Sequence, residues 1–208
     1  TFSGARLTMI VDPQVRELAA MVPFVDEIIT WERGKHSYLA KLQFISSLKQ
    51  KKIDLAVMLN PSREFNIFTY LAGIPVRVGY NRKCGFLLTH KIEDRKHLAQ
   101  QHEVEYNLEL VSLAGAETKD RTLSLNIGED SASNLLNDLA INSAGNLIAL
   151  HPYTSDAIKE WPIDNFRILA RRLAKELKIK VAIIGGKEEI LKSRIFTEGP
   201  GDNIFNLT

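Results

Sequence analysis

Several things are scarce in this chain of 208 residues, and each absence narrows what it can be. It has one cysteine, Cys84, so no disulfide can close within it, and its thiol usage is that of a reducing, intracellular compartment. No apolar run reaches the ~18 residues a bilayer span needs. Net charge is only +2, from 27 basic and 25 acidic residues. That is too even for a protein that wraps nucleic acid, so no nucleic-acid partner is expected. The five histidines, His36, His90, His97, His102 and His151, fall in no H-x-x-x-H or H-E-x-x-H spacing, which argues against a metal site. There is no G-x-S-x-G, no P-loop and no Cys–His signature for a nucleophile. Repeats of 20–50 residues and low-complexity tracts are missing too.

What remains is ordinary globular material, 45% hydrophobic and 25% charged. Its length lies awkwardly between one and two domains of ~150 residues. Short apolar runs alternate with helical patterns. Strands are predicted at Arg6–Val11, Val25–Trp31, Ile53–Leu59 (buried on both faces) and Val76–Gly79. Helices are predicted at Gln14–Met21, His36–Gln50, Ser62–Ala72 and about His97–Ala114, the last with Val104, Leu108 and Val111 inward. Residues 116–134 are polar and rich in turn formers, the best candidate linker. After a predicted helix near Glu129–Leu139 the rhythm restarts. Strands at Asn146–Leu150 and Val181–Ile184 flank a helix capped by Asp164, with Phe166, Leu169, Ala170, Leu173 and Leu177 on one face. A further helix follows from Lys187, and a new strand opens at Asn203–Thr208. Strands separated by helices of ten or more residues imply parallel sheets, so the fold class is α/β, in two tandem domains.

Ligands of such sheets bind beyond the carboxyl ends of the strands. The densest polar cluster lies at one such end, from His151 to Pro162. Thr154 and Ser155 offer hydroxyl donors and Lys159 a point charge, a set that suits phosphate; the alternative is a solvated connection with Trp161 as a hydrophobic plug. Gly185-Gly186 ends the next strand. It is either a tight βα turn or a place where a ligand approaches backbone N–H groups. Glu188 and Glu189 suit the helix dipole there, or ribose hydroxyls. In the first half, Ser62 is a credible helix cap and Arg63 is free to meet an anion. Residues 77–102 hold six basic residues (Arg77, Arg82, Lys83, Lys91, Arg95, Lys96) against Glu93 and Asp94, a local charge of +4. Such a rim is either a solvated surface or a face for an anionic group or anionic lipids. His102 reads as a surface or capping residue rather than a base.

Three stretches together resemble glycosyltransferase family 9, the heptosyltransferases of lipopolysaccharide synthesis. One is Leu71-Ala72-Gly73-Ile74-Pro75 through Arg77-Val78-Gly79-Tyr80 to Leu87-Leu88-Thr89-His90. The second is His102-Glu103-Val104-Glu105-Tyr106-Asn107-Leu108 leading to Leu113-Ala114-Gly115. The third, the most specific, is His151-Pro152 to Lys159-Glu160-Trp161-Pro162 followed by Val181–Gly186. The resemblance implies a GT-B fold, two Rossmann-like domains facing across a cleft, here residues 1–126 and 127–208. It implies an inverting, metal-independent glycosyltransferase with no cofactor, expected to be cytoplasmic, either free or peripheral at the inner face of the bacterial inner membrane. The donor would be a nucleotide-sugar such as ADP-heptose, the acceptor a lipopolysaccharide core or lipid-linked glycan. Donor phosphate maps to Thr154, Ser155 and Lys159, with Gly185 and Gly186 beside them. On the reading of the first half above, Arg63, Arg82 and His102 are the candidates for the acceptor side.

The departures shape the expectation. The family's first strand with its G-D turn, whose aspartate is the expected general base, has no counterpart here. Neither has its later D-S-G-x-x-H donor element, and Tyr153 stands where glycine often follows His-Pro. The chain therefore reads as the middle of a larger enzyme, with no catalytic residue of its own and inactive alone. The competing readings are a phosphate-binding module without turnover, another GT-B enzyme such as a nucleotide-sugar epimerase, and a nucleotide-binding regulator.

Overall fold

The computed structural model describes residues 2, 4–128, 146–154, 156–197 and 203–208. The expected helix near Glu129–Leu139 lies outside them. The chain divides into two units, 1–127 and 128–208.

The first unit carries two parallel sheets. β1 (Thr8–Val11) pairs with β2 (Glu27–Thr30), Thr8 opposite Glu27. β3 (Leu55–Met58), β4 (Val76–Tyr80) and β5 (His90–Ile92) form the second sheet, with β4 central. Helices α1 (Arg16–Ala20), α2 (Tyr38–Gln50), α3 (Arg63–Leu71) and α4 (Glu103–Ser112) connect and cover them. The helix ends follow from local chemistry. Ser37 Oγ accepts from Ala40 N at 3.2 Å and Ser62 Oγ from Phe65 N at 3.4 Å, each quenching an orphan amide of the first turn. Past α3, Gly73 takes φ +74°, and Gly73 N and Ile74 N donate back to Tyr70 O and Thr69 O. That paired closure needs a left-handed residue, hence glycine.

Three sequence expectations change here. β3 is not buried on both faces; only Met58 is buried, because β3 is an outer strand of its sheet while the central β4 buries Val78, Gly79 and Tyr80. α4 starts at Glu103 rather than His97, since residues Lys96–Leu98 form a separate 3-10 turn ended by left-handed Ala99. Its inward residues are Tyr106 and Leu110, whose i, i+4 spacing puts them on one face; Val104, Leu108 and Val111 are only half-buried. One core packs Trp31, Phe44, Leu48, Phe68, Ala72 and Ile74, and a second packs Val78, Tyr80 and Leu110.

In the second unit β6 (Leu147–Leu150), β7 (Lys180–Ile184) and β8 (Ile204–Leu207) are parallel, with β7 central. α5 (Ile163–Glu176) and α6 (Ile190–Thr197) are the crossover helices. Asp164 is not the cap of α5. Pro162 holds that position at φ −52° and its carbonyl accepts from Asn165 N and Phe166 N, so Asp164 falls in the first turn, where its carboxylate meets Arg167 at 3.1 Å. The apolar stripe of α5 packs through Phe166, Ala170 and Leu173 on Tyr153, Val181, Ile183 and Phe196; Leu177, past the last turn, is exposed.

Candidate functional site

The loop from His151 to Pro162 leaves the carboxyl end of β6. Pro152 and Tyr153 are buried, Asp156 is half-buried, and Thr154 and residues 158–162 are exposed. From Thr154 onward the loop is organised by its own bonds. Thr154 Oγ1 accepts from Asp156 N at 3.2 Å, Asp156 Oδ1 accepts from Ile158 N at 3.1 Å, and Lys159 N donates to Asp156 O at 2.9 Å. The Thr154 hydroxyl uses its oxygen inward and keeps its hydrogen to donate. Lys159 ends a 3-10 turn with its ammonium 3.7 Å from the Asp156 carboxylate and 76% exposed, a loose pairing that an incoming anion can replace. Ser155 lies outside the described residues. Trp161 closes the loop by standing edge-on to Phe166, ring centroids 4.8 Å apart. An apolar groove of about 540 Å³ along α5 is lined by Trp161, Ile168 and Leu173 but by neither Thr154 nor Lys159.

Gly185 and Gly186 end β7. A Cβ on Gly185 would stand 2.8 Å from the Tyr153 ring, so its missing side chain makes room for Tyr153. Gly186 N donates to Glu189 Oε2 at 2.8 Å. The amide expected to be open to an anion is thus capped by the chain's own carboxylate, the role the dipole reading gave Glu188 and Glu189.

On the first unit, Arg63 is the first residue of α3, exposed and without an ion pair among the described residues. Arg82 follows β4, and its guanidinium meets the Asp94 carboxylate at 2.6 Å. Burial works against the charge on Asp94. The Arg82 bond and the backbone N–H of Lys96 outweigh it and hold the carboxyl below the ordinary range. Asn66, fully buried on α3, donates to Arg82 O and Lys83 O at 3.4 and 3.0 Å and pins a turn in which Lys83 and Cys84 are both left-handed. His102 caps α4: its Nδ1 accepts from Val104 N at 3.2 Å, which leaves Nε2 to carry the proton of the neutral ring.

The expected basic rim is largely spent within the protein. Arg82 pairs with Asp94, Arg95 with Glu109 and Lys96 with Glu103, while Arg77 donates to the carbonyls of Leu87 and Ile74. Of the six cations, Lys83 and Lys91 have neither an ion pair nor a side-chain hydrogen bond among the described residues. Lys96 counts in the sequence only as one cation of the basic stretch, but the structure gives it a role of its own. Its ammonium reaches Leu59 O at 3.1 Å, Asn107 Oδ1 at 3.3 Å and the Glu103 carboxylate, and lies 4.9 Å above the Tyr80 ring. Burial alone would lower its pKa; Glu103 and Tyr80 more than offset that and raise it. The tie gathers the carboxyl end of β3, the end of β4 and the start of α4. No spacing motif announces it. Among the described residues no group of three or more His, Cys, Asp or Glu is placed to hold a metal ion, and no helix is long and apolar enough to cross a membrane.

The sequence profile of glycosyltransferase family 9 (heptosyltransferase) matches residues 41–198. The chain belongs to this family. Among solved structures, the ADP-heptose LPS heptosyltransferase II of E. coli superposes with a TM-score of 0.80 at 21% identity, covering 100% of this chain and 64% of that one. A family 9 glycosyl transferase of Veillonella parvula gives 0.77 at 17%, covering 96% and 59%. The E. coli heptosyltransferase WaaC, solved with ADP, gives 0.71 at 19%, covering 100% and 65%. The chain thus spans a little under two thirds of the length of these relatives. No curated protein sequence matches it. The fold class is that of the family 9 structures: parallel sheets flanked by helices, the Rossmann-like architecture of GT-B glycosyltransferases.

Proposed function

We propose that this protein acts in an inverting transfer of a sugar, a heptose by family likeness, from a nucleotide diphosphate donor to a lipopolysaccharide core or related lipid-linked acceptor. The observation that carries the reading is the family 9 match over residues 41–198, which contains the Thr154–Lys159 loop at a strand's carboxyl end. An inverting transfer needs a base on the acceptor hydroxyl and stabilisation of the departing diphosphate. The second task fits Lys159, whose charge is exposed and loosely held, and the Thr154 hydroxyl, with Ser155 as a further donor. Gly185 and Gly186 border the same strand ends; with the Gly186 amide held by Glu189 and the Gly185 face covered by the Tyr153 ring, their part would be to seat the loop beside the nucleotide. Arg63, Arg82 and His102 stand on the first unit, where an anionic acceptor would be oriented, and Lys83 with Lys91 would favour an anionic membrane surface. No metal and no cofactor takes part in this scheme.

The test is steady-state transfer in the intact protein with ADP-heptose as donor. Lys159→Ala raises donor KM and lowers kcat/KM at least tenfold, because the lost charge faces the leaving diphosphate. Unchanged kinetics would remove Lys159 from the site. Donor binding without any turnover in the intact protein would instead support a phosphate-binding module.

A further inference from the structure

We infer that Tyr153 is a positioning residue for the Thr154–Lys159 loop, and that Gly185 is glycine in order to receive its ring; the link to donor binding rests on the function proposed above. Tyr153 is the last buried residue before the loop turns out to solvent, 8% exposed, and belongs to the core with Ala170, Val181, Ile183 and Phe196. Its ring covers the Gly185 α-carbon so closely that an added Cβ would lie 2.8 and 2.9 Å from two ring carbons and 3.0 Å from the Thr208 methyl. Contacts that short do not occur between unbonded carbons, so the two positions are reciprocal in size. The Tyr153 hydroxyl is buried beside Ser193 but makes no well-formed hydrogen bond among the described residues, because the Ser193 hydroxyl is already engaged with Ile190 O, Asn206 and Thr208. The ring and not the hydroxyl therefore does the holding.

The position of the ring is passed along the loop. Thr154 follows it directly, Thr154 Oγ1 holds Asp156 N, and Asp156 holds both Ile158 N and Lys159 N. Trp161 on Phe166 fixes the far end. Thr154 and Asp156 thus tie Lys159 back to the ring through consecutive bonds. Shifting Tyr153 shifts Lys159. Gly185 at the end of β7 thus serves the loop opposite, a role that its place in the sequence alone does not separate from ligand approach.

The experiment compares Tyr153→Phe, Tyr153→Leu and Gly185→Ala in the intact protein, reading amide hydrogen exchange at Asp156, Ile158 and Lys159 and the affinity for ADP. Tyr153→Phe keeps the wild-type behaviour in both. Tyr153→Leu keeps apolar burial but loses the flat ring; its three loop amides exchange at least tenfold faster and ADP binds at least tenfold more weakly, with acceptor KM unchanged. Gly185→Ala, which displaces the ring while Tyr153 remains, gives the same pattern and carries the test should Tyr153→Leu fold poorly. Wild-type exchange in Gly185→Ala or Tyr153→Leu overturns the inference, as does a Tyr153→Phe variant as impaired as Tyr153→Leu. A wild-type protein that binds no ADP would sink the donor reading alone, since the exchange rates still decide what Tyr153 holds.

Discussion

Asp94 and Glu64 show how single carboxylates are kept charged in the first unit. Burial opposes the charge on each. For Asp94 the Arg82 guanidinium and the Lys96 amide prevail; for Glu64 the Lys41 ammonium at 2.9 Å and the Trp31 indole N–H at 3.1 Å do. Both folded-state pKa values are lowered, so both contributions to stability are complete above the ordinary carboxylate range near pH ~4 and are lost as pH falls through the lowered values. Thermal unfolding followed from pH 6 to pH 3 should show Tm falling steeply below pH ~4, and Asp94→Asn should flatten part of that fall while lowering Tm at pH 6. An equal acid slope in the variant would mean that Arg82 is not engaged with Asp94 in solution. Arg82→Ala then has two effects, since it also removes a candidate acceptor contact: acceptor KM rises and donor KM does not. An untouched acceptor KM in both Arg82→Ala and Arg63→Ala would end their assignment to that side. None of these partnerships could be read from sequence. Arg82 and Asp94 are twelve residues apart in a run of charges, and only the parallel pairing of β4 with the three-residue β5 brings them together.

Helices and strands were far more legible, because their signals are local. Ser62 before an apolar-periodic run and Gly73 after it bracket α3 as the structure shows. Ser62→Ala removes the acceptor for Phe65 N and should cost about 1 kcal/mol. Gly73→Ala meets open space but must adopt φ +74°, a strain of ~1–2 kcal/mol. Urea unfolding checks both, and a stabilised Gly73→Ala would contradict the left-handed closure. Local signals failed where tertiary packing chose between options. The start of α4 was displaced because Lys96 is drawn into a turn that lets its ammonium reach Leu59 O and Asn107. The cap of α5 moved to Pro162. β5 was missed because three residues, His90-Lys91-Ile92, inside a basic stretch carry no periodicity to detect. The Lys159 loop was legible as a phosphate-suited cluster from its residue types and its place after a strand. Its anchoring was not, since Tyr153 and Gly185 are distant in sequence and meet only through the β6–β7 ladder.

For the molecule as a whole, the alternation of strands and helices foretold parallel α/β sheets, and the family motifs pointed to glycosyltransferase family 9, to which the chain belongs. The two units differ in how their polar groups are used. The first spends four of the six cations of its basic stretch on internal ion pairs and hydrogen bonds, whereas the second presents a self-bonded loop with an exposed lysine at a strand end. The central claim is therefore that an anionic donor group binds at the Thr154–Lys159 loop. It is tested most directly by titrating ADP into the isotopically labelled protein and following backbone amide resonances. The account predicts saturable shifts centred on Thr154, Asp156, Ile158 and Lys159 that weaken at least tenfold in Lys159→Ala. Saturable shifts that leave this loop untouched, or equal affinity in Lys159→Ala, would contradict it.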